Sequence, residues 1–261
     1  MSSQRIWTDQ HLANPHEAAD KSQRVQAMFA AIAKSYDLNN RLHSMGRDQM
    51  WRREAVRMAQ LTGRERVLDV ACGTGDLTLA FADEGAGQVL GLDFTFDMLA
   101  LAMRKRRRRK ANQSGVAISF HAGDAMRLPL RDECVDVVSI AFGIRNVTDP
   151  ATAVREFARV LSPGGRLIIL EFSMPRNRLF AAFYRYYFLN IMPRTASLIA
   201  SDRTGAYYYL PRSVNTFLDQ AALLELLHKA GFTQAVARPV TFGIAVIYRA
   251  IKGEMGDEGP R

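Results

Sequence analysis

Cysteine is scarce in this chain: Cys72 and Cys134 are the only two in 261 residues. Their spacing supports neither a disulfide framework nor a metal-ligand set, so both read as reduced thiols in a cytoplasmic protein without a metal centre. Long apolar runs are missing as well. A membrane span needs about 18–20 uninterrupted apolar residues, and the best stretch, residues 179–200, is broken by Arg185, Asn190, Pro193 and Arg194. Residues 1–20 mix charges and lack the apolar centre of a signal peptide, which predicts a polar N-terminal tail. No internal repeat is present, and residues 253–261, rich in glycine and acid, read as a disordered tail. Residues 21–252 remain as one domain, and a chain that is 48% hydrophobic can fill its core.

Acids are outnumbered, 26 against 35 bases, and the imbalance is concentrated. Residues 104–110, Arg-Lys-Arg-Arg-Arg-Arg-Lys, hold seven of the nine net positive charges. A solvated helix end is the common origin of such a run. Peripheral contact with an anionic membrane surface, at the inner face, is a second reading. Nucleic acid is a third, but no aromatic residues interleave with the run to stack on bases, and no nucleic-acid partner is expected.

Short apolar runs at 67–71, 89–93, 118–121, 135–141 and 167–172 read as strands. Helical segments near 76–84, 95–111 and 150–161 separate them, the last opened by Asp149 as N-cap and Pro150 in the first turn. Pro163-Gly164-Gly165 turns the chain into the fifth strand. A helix near 218–230 and an antiparallel pair at 234–240 and 244–251 complete the pattern. Alternating elements predict an α/β fold, a doubly wound and mostly parallel seven-stranded sheet with an antiparallel last strand.

The most informative stretch is Val67-Leu68-Asp69-Val70-Ala71-Cys72-Gly73-Thr74-Gly75-Asp76, followed by Asp93 at the end of the next strand. Ligands of open parallel sheets sit beyond the carboxyl ends of the strands, where an acid can accept the two hydroxyls of a ribose. A dinucleotide fingerprint needs a third glycine, and Thr78 occupies that place. Asp69 instead fits the D-x-x-x-G-x-G pattern of S-adenosylmethionine (SAM) enzymes. Its carboxylate suits either hydrogen bonds to the turn or the cationic amino-acid end of a ligand. Asp69, Gly73 and Gly75 are therefore expected at the cofactor site.

Four blocks make the chain resemble the ubiquinone/menaquinone biosynthesis C-methyltransferase family over roughly residues 21–252. They are Met28-Phe29 with Ala33-Lys34-Ser35-Tyr36-Asp37-Leu38-Asn39-Asn40, Gly46 and Trp51-Arg52-Arg53; the glycine turn; Phe142-Gly143-Ile144-Arg145-Asn146-Val147 with Arg159-Val160-Leu161-Ser162-Pro163-Gly164-Gly165 and Glu171-Phe172-Ser173; and Pro193-Arg194 through Tyr209-Leu210. The resemblance implies a class I SAM-dependent methyltransferase fold, with residues 21–62 as helices capping the substrate side. It implies transfer of methyl from SAM to a ring carbon of a polyprenylated quinol, either demethylmenaquinol or a methoxy-polyprenyl-benzoquinol. It also implies that Thr74, Asp93, Asp124 and Ala125 contact SAM. Asp48 and Tyr248 stand where relatives carry histidine, so a histidine role is not transferred to them. Oligomeric state stays open, a homodimer being one option.

Methylation of a quinol carbon needs its hydroxyl deprotonated, a stabilised phenolate and an acceptor for the ring proton. Arg145 and Asn146, beyond the fourth strand, are the candidates for that site. Arginine stays protonated to a pKa above about 12, so Arg145 is assigned to stabilise the phenolate or position a water, and Asp37 or His43 to accept the proton. Phe180, Phe183, Tyr184, Tyr187 and Ile191 form a helical stripe, read as core or as a lid over the polyprenyl chain. A basic RNA-binding protein on the same scaffold is the rival from another class; the retained Asp69, Gly73, Gly75, Asp93 and Arg145 argue for the enzyme.

Overall fold

A computed structural model describes residues 6–109, 115–175, 177–200, 202 and 204–253. Seven strands, β1 (Arg66–Val70), β2 (Gln88–Asp93), β3 (Ala117–Ala122), β4 (Val135–Ala141), β5 (Leu161–Phe172), β6 (Phe232–Val240) and β7 (Ala245–Lys252), form one sheet in the order β3-β2-β1-β4-β5-β7-β6. The first five are parallel, and β7 lies antiparallel between β5 and β6. Chain order reverses between β1 and β4, which opens the crevice where such sheets bind ligands. The expected doubly wound sheet with an antiparallel last strand is what forms.

Among the described residues the α-helices are α1 (Asp9–Ala13), α2 (Lys21–His43), α3 (Arg47–Met58), α4 (Asp76–Asp83), α5 (Phe96–Arg108), α6 (Pro150–Val160), α7 (Arg178–Tyr186), α8 (Met192–Ala200), α9 (Ala206–Thr216) and α10 (Gln220–Lys229). Asp149 caps α6 as its sequence predicts, accepting from the Ala151 and Thr152 amides at 2.9 and 3.3 Å. Pairing on β5 begins earlier than expected, at Leu161. Pro163-Gly164-Gly165 sits inside the strand as a bulge, with Gly164 at φ +70° and the register against β4 shifted there.

Two clusters of apolar side chains fill the two faces of the sheet, centred on Leu68, Ile140 and Phe157 and on Val67, Phe81 and Ile168. A third lies outside the sheet, where α1, α2, α8 and α9 bury Trp7, Met28, Ile32, Met192 and Tyr209. Of the polar tail expected over residues 1–20, residues 6–20 are described, and there the expectation is corrected: Ile6, Trp7, Leu12 and Ala18 pack into this cluster. Trp7 is fully buried, its ring 4.3 Å from that of Tyr209 and its Nε1 donating to Met28 Sδ at 3.2 Å. Two apolar anchors, Trp7 and Leu12, are enough to fold a segment whose average composition is polar. Of the tail expected at 253–261, all but Gly253 lies outside the described residues.

Candidate active site

The glycine turn between β1 and α4 takes backbone angles that side chains resist: Gly73 has φ +56° and Gly75 φ +84°. A Cβ at Gly75 would come within 3.0 Å of the Phe120 ring and 3.1 Å of Ala102 Cβ. Asp93, buried at the end of β2, holds the turn. Its Oδ2 accepts from the Gly73 amide at 2.8 Å and its Oδ1 from the Thr95 amide at 2.7 Å. Burial pushes its pKa up against the pull of those amides. The carboxylate borders the adjoining cleft of about 790 Å³, which is lined by Phe29, Asp93, Asp124, Ala125, Phe142 and Asn146 among others. Asp124 Oδ1 accepts from the Met126 amide at 2.9 Å, a turn that presents Asp124 and Ala125 side by side at the cleft wall.

Asp69, expected at the cofactor site, borders a small pocket at the glycine turn, with both oxygens engaged within the fold. Its oxygens accept from Thr78 Oγ1 at 2.6 Å and Ser139 Oγ at 2.8 Å, tying β1 to α4 and to β4. Full burial raises its pKa to about 6. Thr78, the residue that breaks the dinucleotide fingerprint, is thus the partner that Asp69 requires.

Thr74 and Asp37 meet, but away from Arg145. Thr74 Oγ1 donates to Asp37 Oδ1 at 2.6 Å, and Lys105 Nζ bonds Asp37 Oδ2 at 2.6 Å, Thr74 Oγ1 at 2.9 Å, and Asp76. Both oxygens of Asp37 are therefore committed, and the residue lines neither large cavity. Asp37 thus lines neither of the cavities that Asn146 and Arg145 border, and its carboxylate pairs with a lysine of the basic run.

Arg145 follows β4 and is 4% exposed. Its Nη1 meets Glu171 Oε1 at 2.6 Å and donates to the Phe142 carbonyl at 2.7 Å, while its Nε donates to Ser213 Oγ at 3.4 Å. Burial raises the Glu171 pKa and the guanidinium opposes that rise. Asn146 Nδ2 donates to the same Phe142 carbonyl at 3.1 Å, and Asn146 Oδ1 accepts from the Tyr209 hydroxyl at 2.9 Å. The carbonyl oxygen serves both with its two lone pairs, and the Phe142 backbone is left-handed, φ +57°. Such strain in a non-glycine residue persists where surrounding bonds enforce it.

Arg145 and Tyr209 line a second cavity of about 1600 Å³. Most of its wall is apolar and aromatic, including Phe172, Phe180, Tyr184 and Phe188. Phe29, Tyr36 and Phe142 line both cavities and form the wall between them. His43 faces the second cavity with Nε2 unpartnered, and burial lowers its pKa. Asp48 and Arg52, paired at 3.2 Å, also line it, with the Arg52 guanidinium 5.1 Å from the Phe142 ring centroid. Glu171 and Tyr209 were quoted in sequence blocks without a role. An acid inside the apolar strand 167–172 was the signal for the first; nothing local marks the second.

A glycine turn at the switch point, a carboxylate closing β2 and an antiparallel β7 define the class I SAM-dependent methyltransferase fold. Solved structures agree. A SAM-dependent methyltransferase from Thermotoga maritima superposes with TM-score 0.57 at 21% identity, covering 87% of this chain and 99% of that one. Phosphoethanolamine N-methyltransferase 2 from Haemonchus contortus, in complex with SAM, gives TM-score 0.55 at 17% identity over 76% of this chain and 51% of that one. Sequence narrows the class. The ubiE/COQ5 methyltransferase family model matches residues 17–252, and the chain belongs to that family. Relatives include demethylmenaquinone methyltransferases of Deinococcus radiodurans, 44% identical over 87% of this chain and 91% of that protein, and of Thermus thermophilus, 45% identical over 85% and 98%. The ubiquinone/menaquinone biosynthesis C-methyltransferase UbiE of Geobacter sulfurreducens is 43% identical over 91% of this chain and 92% of its own.

Proposed function

We propose that the protein uses SAM to methylate a ring carbon of demethylmenaquinol, giving menaquinol. The observation that carries this reading is the pair of cavities sharing the wall of Phe29, Tyr36 and Phe142. One ends in the Asp93 carboxylate and suits a nucleoside; the other is large, aromatic and ends at the cationic Arg145, which suits a prenylated ring that ionises. The names of the two demethylmenaquinone methyltransferases support naphthoquinol over benzoquinol.

The residues fit SAM. Gly73 and Gly75 leave room at the turn, the Asp93 carboxylate borders the cleft where ribose hydroxyls would lie, and Asp124 with Ala125 borders the adenine end. When bound, SAM supplies an electrophilic methyl on a positively charged sulfur. Arg145 stabilises the quinol phenolate, and Glu171 holds its guanidinium in place. Asn146, fixed by Tyr209, orders the wall between the two ligands. The neutral imidazole of His43 is placed to take a proton at pH 7, a role that Asp37, tied to Lys105, cannot fill as directly.

Incubation of the purified protein with labelled SAM, demethylmenaquinol and 2-methoxy-6-polyprenyl-1,4-benzoquinol tests the proposal. Methylated naphthoquinol is the expected product, and His43→Gln should remove the acidic limb of the pH–rate profile. Methylation of the benzoquinol alone would reverse the substrate assignment. Methylation of an oxidised quinone would refute the phenolate mechanism. A substrate of this kind resides in a bilayer, so peripheral contact with the inner face of the membrane belongs to the same reading.

A further inference from the structure

Among the described residues no helix is long and apolar enough to cross a membrane, yet one segment is unusually apolar on its outside. α7, a π-helical stretch at Tyr187–Ile191 and α8 run on as one rod from Arg178 to Ala200. None of the residues of α7 is fully buried. Leu179, Phe183 and Tyr186, spaced to share a helix face, are 86, 72 and 61% exposed. Phe183 also reaches the rim of the large cavity, whose wall takes the stacked rings of Phe180, Tyr184 and Phe188 from the inner side of the rod.

Two further tips join the rod at the cavity rim. Met45, between α2 and α3, is 82% exposed and also lines the cavity. Phe242, between β6 and β7, is 81% exposed and meets Phe180 with ring centroids 5.5 Å apart. Both sit in left-handed backbone, φ +53° and +56°, so two turns hold large apolar side chains outward at a conformational cost. Water gives no return for that arrangement, whereas an apolar phase does.

Charge identifies the phase. From Ser173 to Ala200 the sequence contains no acid, and Arg178, Arg185 and Arg194 are exposed along the rod. Apolar residues between arginines are the pattern of helices lying in the interface of an anionic bilayer. The basic run on α5 does not compete for this role. Its Lys105 pairs with Asp37 and Asp76, and its Arg109 with Asp83 at the end of α4. As a crossover helix between parallel strands, α5 carries Arg106, Arg107 and Arg108 away from the carboxyl ends of the strands, where the cavities lie.

We propose that the rod Arg178–Ala200, with Met45 and Phe242, docks on an anionic bilayer and sets the mouth of the large cavity against the lipid. The purpose, passage of a prenyl chain from lipid to protein without crossing water, rests on the quinol reading; the docking itself does not. The test is flotation of the full chain with phosphatidylglycerol–phosphatidylcholine vesicles. The parent should float, and Leu179→Asp with Tyr186→Asp should cut the bound fraction at least tenfold. Arg106, Arg107 and Arg108 all changed to Gln should bind as the parent does. Turnover of a short-tailed, water-soluble quinol should be unchanged in the Asp variant, showing that it folds, while turnover of a long-tailed quinol in vesicles falls. Equal flotation of parent and Asp variant overturns the proposal. So does a parent that ignores vesicles but dimerises through this face, losing the dimer in the Asp variant. A parent that floats as described yet methylates neither quinol would overturn the functional reading alone.

Discussion

Replacing Glu171 by alanine leaves Arg145 without a carboxylate partner among the described residues. The two side chains are 3 and 5% exposed and meet at 2.6 Å, so water does not substitute for the lost acid. Two unit charges about 4 Å apart attract by about 4 kcal/mol at an effective dielectric constant near 20. Breaking a buried pair by removing one member costs about 3–5 kcal/mol, because the remaining charge stays desolvated. The Phe142 carbonyl and Ser213 hydroxyl still accept from the guanidinium and keep the expected loss near the lower end. Against a total stability of about 5–15 kcal/mol, the variant should be visibly weakened. At about 2–4 °C per kcal/mol for a chain of this size, its Tm should fall by roughly 10 °C. Urea unfolding followed by circular dichroism measures the difference. Glu171→Gln, which keeps an acceptor oxygen, should lose about half as much. In a double-mutant cycle, Arg145→Met should cost less in the Glu171→Ala background than in the parent. A loss below about 1 kcal/mol for Glu171→Ala would show that Arg145 escapes to solvent, and the argument for a rigid phenolate-binding arginine would fail with it.

Asp93→Asn should weaken SAM binding about tenfold or more, since hydrogen bonds to a charged acceptor contribute about 1.5–3 kcal/mol; calorimetry on the folded variant reads this directly. Gly75→Ala combines φ +84° with Cβ contacts of 3.0 and 3.1 Å, so a stability loss above about 1 kcal/mol and reduced SAM affinity are expected from thermal melts and calorimetry. Asp69 makes stability depend on pH. Its folded pKa of about 6 exceeds the unfolded value, so the folded state holds the proton more tightly. Stability relative to Asp69→Asn should then fall as pH rises from about 4 to 6, by on the order of 2–3 kcal/mol, and level off above that. Paired urea titrations at pH 4.5 and 7.5 measure it, and a parent that gains on the variant with rising pH refutes the assignment.

The strands were legible because their apolar runs are short, β-branched and bounded by Gly, Asp and Pro. Asp69, Gly73, Gly75 and Asp93 were legible because one local stretch fixes their spacing. Contacts between distant segments were not. Glu171 lies 26 positions from Arg145, and Tyr209 lies 63 from Asn146. Lys105 was read as one charge in a solvated run, and only the packing of α5 beside the glycine turn brings it to Asp37. Composition misled at the N-terminus, where Trp7 and Leu12 outweigh their polar neighbours.

The backbone of Phe142 has a consequence for how the two ligands communicate. Its carbonyl fixes both Arg145 and Asn146, and its ring borders the chambers on either side. The residue is therefore a hinge pin shared by donor and acceptor. A change of side chain there reshapes both chambers together, so altered substrate choice and altered donor affinity arrive as one trait. Selection for a different quinol would have to act farther out, at Phe180, Tyr184 or Tyr187, where the wall borders the large cavity and not the other.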